Sequence, residues 1–231
     1  TLASAAGLMF NAASGSANAC AFLTIGAAHL LAAFGDDEQR EHWMRPMVEG
    51  RYFGTMALSE PQAGSSLGDI TTQAVPAGDG TYRLHGSKMW ISAAEHDLSE
   101  NIVNLVLAKL PDAPPGVKGI SLFIVPKFLL DEHGRPGRRN GVHVTGLNHK
   151  LGQRGVINTV LTFGDDCVGY LVGAPHDGMR QMFHMMNEAR IAVGAGAAAL
   201  NLAAYEYALG YAKDRPQGRR LTDKNPLSPP L

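Results

Sequence analysis

Cysteine is almost missing from this chain: Cys20 and Cys167 are the only two among 231 residues. Two cysteines so far apart in sequence build neither a disulfide framework nor a metal cluster. They read as reduced thiols in a cytoplasmic type of compartment. Charge is also sparse, with 18% charged residues and a formal net charge of −1. No basic field exists for nucleic acid, and that class of partner is excluded. The most apolar window, residues 17–34, carries Asn18 and His29, is rich in Ala and Gly, and lacks the Leu, Ile and Phe density that bilayer insertion demands. It predicts a closely packed buried helix and no membrane span. A signal peptide, an internal repeat and a βαβ alternation are all absent from the pattern, so a Rossmann unit is not expected.

What is present suits a packed core, since 45% of residues are hydrophobic. The chain starts at Thr1 within an apolar pattern and stops at Leu231 in a Pro-rich connection. Those ends suggest an internal fragment of something longer.

Residues 1–50 read as helical. Small and apolar residues run from Leu2 to Phe34, and Gly35 is a stop signal. Asp36 or Asp37 can cap a following helix to about Val48, with Trp43 and Met47 on one face and Pro46 near its end. From Arg51 the chain breaks into short β-branched or aromatic runs at 53–58, 70–75, 81–84, 89–92, 102–107, 120–125, 142–147, 156–163 and 169–172. Turn signals separate them, including His85-Gly86 and residues 133–137. This spacing predicts an antiparallel sandwich or barrel. Helical periodicity returns at about Asp177 and runs to about Asp214, with a Met179, Met182, Phe183 and Met186 stripe that reads as core. The fold class is therefore α+β: a helical segment over 1–50, a central β domain over 51–174, and the start of a helical bundle over 175–231.

Two stretches carry the functional reading. Residues 56–66, Met-Ala-Leu-Ser-Glu-Pro-Gln-Ala-Gly-Ser-Ser, form an apolar run that breaks at Pro61 and ends in small residues. Their backbone N–H groups can meet a phosphate or a heterocycle edge closely. On its own the stretch favours a strand followed by a surface turn. Residues 86–92, Gly-Ser-Lys-Met-Trp-Ile-Ser, place a rare aromatic between a basic residue and a hydroxyl. Further on, Asn187, Arg190 and Gly194 share a helix face. A buried Arg there would need an anion. The cluster Arg135, Arg138 and Arg139 reads as a solvated loop.

This order, with those stretches, resembles the acyl-CoA dehydrogenase family of flavoproteins. Residues 59–65 are similar to its Ser/Thr-Glu-Pro-x-Ala-Gly-Ser turn, and 86–92 to its Gly-x-Lys-x-Trp-Ile-Ser/Thr run. Residues 35–39, 45–50, 187–190 and 214–219 resemble the flanking helices. Residues 96–103 and 119–127 resemble a branch of larger bacterial members, including enzymes acting on 3-methylthiopropionyl-CoA. The resemblance implies FAD and oxidation of an acyl-CoA thioester to its trans-2-enoyl form, within fatty acid metabolism. It further implies electron transfer to an electron-transfer flavoprotein and a cytoplasmic homodimer or dimer of dimers that shares its flavin sites. Carried over residue by residue, it places Met56, Leu58, Ser59, Gly64, Ser65, Trp90, Ile91 and Ser92 at the flavin. Arg215 and Gln217 would reach the FAD of the partner subunit. Ser65, Asn187 and Arg190 would contact the CoA portion, although Asp is more usual than Asn at the first helix position. The general base is expected beyond Leu231, because the alternative family position is Ala189 here and Glu188 is rotated about 100° away around the helix. An acyl-CoA oxidase of the same fold and a non-catalytic flavin- or acyl-CoA-binding paralogue remain alternatives. The 231 residues alone are expected to hold FAD weakly.

Overall fold

The computed structural model describes residues 2–164, 166–218 and 221–222. Helix α1 (Leu2–Ala13) and helix α2 (Gly15–Phe34) divide the expected continuous run. Ser14 makes the break. It is extended, and its side chain accepts from the Ala17 N–H, so it caps α2 rather than continuing α1. Gly35 closes α2, donating its N–H to the Leu31 carbonyl. Asp36 then caps α3 (Asp37–Gln39) by accepting from the Gln39 N–H at 2.7 Å. A widened π turn over Arg40–Met44 joins α3 to α4 (Arg45–Val48), and Pro46 stands just past the widened turn, near the end of the helical run. Trp43 and Met47 are both buried, as their spacing predicts.

Ten strands follow: β1 (Tyr52–Ala57), β2 (Gln73–Pro76), β3 (Tyr82–Ser92), β4 (Asn101–Lys109), β5 (Ile120–Pro126), β6 (Phe128–Leu130), β7 (Pro136–Arg139), β8 (Val142–Leu147), β9 (Asn158–Phe163) and β10 (Val168–Leu171). The main sheet has the order β1-β4-β5-β10-β3-β9-β8, with β2 pairing both β3 and β4. Because β2 bridges β3 and β4, strands β4, β5, β10, β3 and β2 close a circuit. Most pairs are antiparallel as expected; the exceptions are β1 with β4 and the Gln73–Lys109 bridge, both parallel.

Three expectations change. The runs at 81–84 and 89–92 are one strand, which passes through Gly86 at φ 139°, a conformation open to glycine. A Cβ at that position would lie 2.7 Å from Thr72 Oγ1, so only glycine passes. The run at 70–75 follows a 3-10 turn over Leu67–Asp69, and pairing starts only at Gln73. The Arg-rich segment contains β7, which pairs with β6, and Arg139 bonds Glu95 at 2.7 Å instead of standing free in a loop.

Strand β4 explains where the core sits. All but its last residue are buried, because both faces are covered. Val103, Leu105 and Leu107 face α2 and the last helix, while Val106 and Ala108 face the circuit interior with Phe123 and Leu84. Each fully buried aliphatic chain contributes about 1.5–3 kcal/mol. Helix α2 is long and apolar enough to cross a membrane by length and mean hydropathy (1.6). In this structure Ala27, Ala28, Leu30 and Leu31 join the core it shares with the sheet. It lies so near β1 that a Cβ on Gly54 would come within 2.5 Å of Ala27 Cβ. Thr24 Oγ1 accepts the Gly54 N–H at 3.1 Å, satisfying an edge donor of β1.

The final helix, α5 (Gly178–Asp214), has 37 residues. Its first turns are pressed onto β5, where a Cβ on Gly178 would be 2.5 Å from the Ser121 carbonyl carbon. Of the expected stripe, Met182 is buried and Met179 and Met186 pack against the helix-side core, while Phe183 is exposed; Gln181 and Met185 complete the buried face.

Candidate functional site

Strands β1 and β3 are not ladder neighbours, yet their ends face one cavity of about 430 Å³. Met56 and Thr55 come from β1, Trp90 and Ser92 from β3, Phe22 from α2, and Ala189 from α5. Asn11, Asn18, Lys150 and Gln153 add polar groups from three separate segments. The volume lies in the range of small-molecule sites, roughly 300–1,000 Å³. A larger hollow of about 870 Å³ is lined by Asp36, Glu38, Glu41, Asp131 and Glu132. It contains none of the residues expected at the flavin or the CoA portion, and its acidic rim is a solvated surface; size does not decide here.

Trp90 is the distinctive wall. Its φ is 66°, a left-handed conformation that is unusual for a bulky residue, and it falls where β3 slips register against β9 between Lys88 and Ile91. The irregularity turns the indole outward, leaving it 57% exposed. Such strain persists only where neighbours hold it, and it concentrates at functional sites. Ser92 Oγ accepts from Asn158 Nδ2 at 3.1 Å, so the hydroxyl proton is left to donate elsewhere. Its carbonyl accepts from Thr55 Oγ1 at 2.7 Å, tying the two strands.

The turn after β1 is built around Glu60. Its backbone pairs with Ala63 across Pro61 and Gln62, with Glu60 N–H donating to the Ala63 carbonyl at 2.8 Å. Its carboxylate is buried and accepts six bonds, from Thr71 N and Oγ1, Thr72 N and Oγ1, Gln62 Nε2 and Lys88 Nζ. Lys88 is wholly buried, 2.9 Å from Glu60 and 2.9 Å from the Leu58 carbonyl. Burial pushes the Glu60 carboxyl up, but Lys88 and the Thr71 and Thr72 donors overcome it and hold the group at about 2. Burial brings Lys88 down to about 8 against the pull of Glu60. The carboxylate is the more secure member, because five of its donors do not depend on the ammonium.

An acid dependence follows. Glu60 is depressed in the fold, so the unfolded chain binds the extra proton. The stability it contributes is fully present above pH 4.5 and is lost as the pH falls toward about 2. The loss is on the order of 3 kcal/mol. Urea unfolding followed through that window is expected to decline in the parent and to flatten in Glu60→Gln.

Among the other expected residues, Gly64 and Ser65 are exposed at the turn. A Cβ on Gly64 meets nothing within 4 Å, and among the described residues no acceptor takes the N–H of Gly64, Ser65 or Ser66. Ser59 accepts from the Met89 N–H at 2.9 Å through its carbonyl. Leu58 packs on the helix-side core. The side chain of Ile91 is buried inside the sheet, so of the run from Trp90 to Ser92 it offers the site only its backbone. Asn187 and Arg190 bond each other at 2.9 Å, Arg190 lies over Phe183, and neither lines the cavity. Arg190 is exposed rather than buried against an anion. Arg215 and Gln217 follow the end of α5, about 22 Å or more along the helix beyond Leu200, the last cavity residue on it. Ala189 faces the cavity, whereas Glu188 turns to His29 Nδ1 at 2.9 Å. No carboxylate lines the cavity among the described residues. Burial raises both thiols, and Cys167, wholly buried, goes up to about 12.

The Glu60–Lys88 pair is what the sequence reasoning missed. The signal was available: each stretch has one charge inside an otherwise apolar run, and a buried charge needs a partner. Asn11, Asn18, Lys150 and Gln153 had no such signal, because folding alone brings them together.

A strand-turn cradle of this kind, set between a β circuit and helices, matches a known family. Residues 55–166 fit the family model described as acyl-CoA dehydrogenase, middle domain. Those residues are a middle domain of the acyl-CoA dehydrogenase type. It is similar to the 3-methylmercaptopropionyl-CoA dehydrogenase of Ruegeria pomeroyi, 48% identical over 209 residues, covering 90% of this chain and 35% of that protein. Among solved structures it resembles butyryl-CoA dehydrogenase from Megasphaera elsdenii (27% identity, TM-score 0.78, 95% of this chain and 54% of that one). It also resembles a chain in the structure of the electron transferring flavoprotein of Acidaminococcus fermentans (26% identity, TM-score 0.78, 95% of this chain and 55% of that one). The chain spans about a third of the length of the curated relatives it matches.

Proposed function

We propose that this chain forms the flavin-holding part of an FAD-dependent acyl-CoA dehydrogenase that converts an acyl-CoA to its trans-2-enoyl form. The observation carrying this reading is the single cavity that gathers Met56, Trp90 and Ser92, with Trp90 held outward at φ 66°. FAD, when bound, supplies the hydride acceptor. The indole of Trp90 covers one face of the ring system, and Met56 fills beside it. The Ser92 hydroxyl, already accepting from Asn158, donates to the polar edge. The N–H groups from Gly64 to Ser66 receive a phosphate, and the missing Cβ of Gly64 allows close approach.

The reading assigns proton abstraction to a carboxylate outside the described residues, since Ala189 occupies the helix position facing the cavity and Glu188 is engaged with His29. Arg190 and Asn187, exposed on the next face of α5, are assigned to the CoA portion, with Ser65. Arg215 and Gln217 are assigned to a second subunit's flavin in a homodimer or dimer of dimers. An electron-transfer flavoprotein is the proposed acceptor, supported by the likeness to the Acidaminococcus structure. The free thiols Cys20 and Cys167 suit a reducing cytoplasm.

The full-length protein is expected to purify yellow, to lose its flavin band on addition of an acyl-CoA, and to recover it with electron-transfer flavoprotein. A protein that takes up no FAD overturns the reading. Fast reoxidation of the reduced protein by oxygen converts it to an oxidase.

A further inference from the structure

We propose that Lys88 is the positioning residue of this site: by tying the end of β1 to the second half of β3, it fixes Trp90 and Ser92 opposite Met56. Its consequence for cofactor binding rests on the flavin reading above; its consequence for Trp90 does not.

The argument begins with what the ladder leaves undone. Strand β1 pairs with β4, while β3 pairs with β2, β10 and β9. The two strands that build the cavity are therefore joined by individual bonds. These are Met89 N–H to the Ser59 carbonyl at 2.9 Å, Thr55 Oγ1 to the Ser92 carbonyl at 2.7 Å, and Lys88 Nζ to the Leu58 carbonyl at 2.9 Å. Between Lys88 and Ile91 the pairing with β9 shifts, so Met89 and Trp90 have no partner in that register. The strained residue thus hangs between two anchors. On one side Thr159 Oγ1 donates to the Ile91 carbonyl at 3.0 Å, and Asn158 and Thr55 hold Ser92. On the other side the anchors are the Met89 N–H on the Ser59 carbonyl and the Lys88 side chain, which is clamped by a carboxylate that five further donors fix in place. A left-handed tryptophan relaxes once one anchor is cut.

The chain has two tryptophans, and Trp43 is buried at 4% exposure. In a Trp43→Phe background, emission reports Trp90 alone, without any cofactor. Lys88→Met leaves Glu60 its other donors and is expected to fold with unchanged far-ultraviolet circular dichroism. Acrylamide quenching of Trp90 is expected to rise about two-fold, and the FAD Kd of the full-length protein about ten-fold, since loose support of a site degrades binding at that scale. Leu105→Ala, a core truncation on β4, is the control for a purely structural loss; it lowers the unfolding midpoint and leaves Trp90 quenching where it was. If Lys88→Met fails to fold, Glu60→Gln weakens the same clamp and is read identically. A folded Lys88→Met or Glu60→Gln variant with parental Trp90 quenching overturns the proposal. Altered quenching in a protein whose parent also binds no FAD upholds the anchor and removes only the flavin reading.

Discussion

Replacing Glu60 by leucine is expected to lower the unfolding free energy by about 3–5 kcal/mol, measured as a fall in the urea midpoint at neutral pH. The substitution leaves the Lys88 ammonium buried with only the Leu58 carbonyl nearby, and it orphans the N–H groups of Thr71 and Thr72. Breaking a buried pair from one side is costly because the remaining charge has lost both water and partner. Glu60→Gln is milder, about 1–3 kcal/mol, since it keeps the shape and one good acceptor. The double variant Glu60→Leu with Lys88→Met recovers part of the loss by removing the stranded charge. Recovery is incomplete, because the threonine N–H donors still lack an acceptor. An undiminished midpoint in Glu60→Leu would falsify the view that this pair organises the turn.

Trp90→Gly is expected to separate binding from folding. In the full-length protein the FAD Kd rises about 10–100-fold, in line with the roughly 1–3 kcal/mol that aromatic stacking on a base-like ring contributes. Stability moves the other way. The ring is more than half exposed, so little burial is lost, and glycine accepts φ 66° without strain. Thermal unfolding without cofactor is expected to be unchanged or stabilised by about 1 kcal/mol. Parental FAD affinity in Trp90→Gly would remove the indole from the site. A steep fall in stability would instead make it a core residue.

Much of this was legible because it is periodic or locally capped. Gly35 and Asp36 announce a helix end and a helix start, and the structure places both there. The β runs at 102–107 and 120–125 lie within β4 and β5 because a strand covered on both faces is apolar at nearly every position, Asn104 and Ser121 being the buried polar exceptions. His85-Gly86 was misleading, since glycine serves turns and close approaches alike, and here Thr72 sets the approach. The parallel placement of β1 beside β4 was invisible, as nothing local encodes which strands meet. For the site, the motif stretches located Met56, Trp90 and Ser92. They could not reveal that Ile91 points into the sheet, a matter of strand parity past an irregularity.

Helix α5 has a mechanical consequence. It is gripped at its base, where Gly178 meets the β5 backbone and Gln181, Met182 and Met185 are buried. Its 37 residues extend about 55 Å. The helix is held again at Gly196, which is buried so close to α1 that a Cβ there would lie 2.9 Å from the Asn11 side-chain amide. From Gly196 to Arg215 the span is about 29 Å, so each degree of tilt there swings the far end by about half an ångström. The helix works as a cantilever clamped at two points, and the aim of Arg215 is set by the glycine that lets α1 come close.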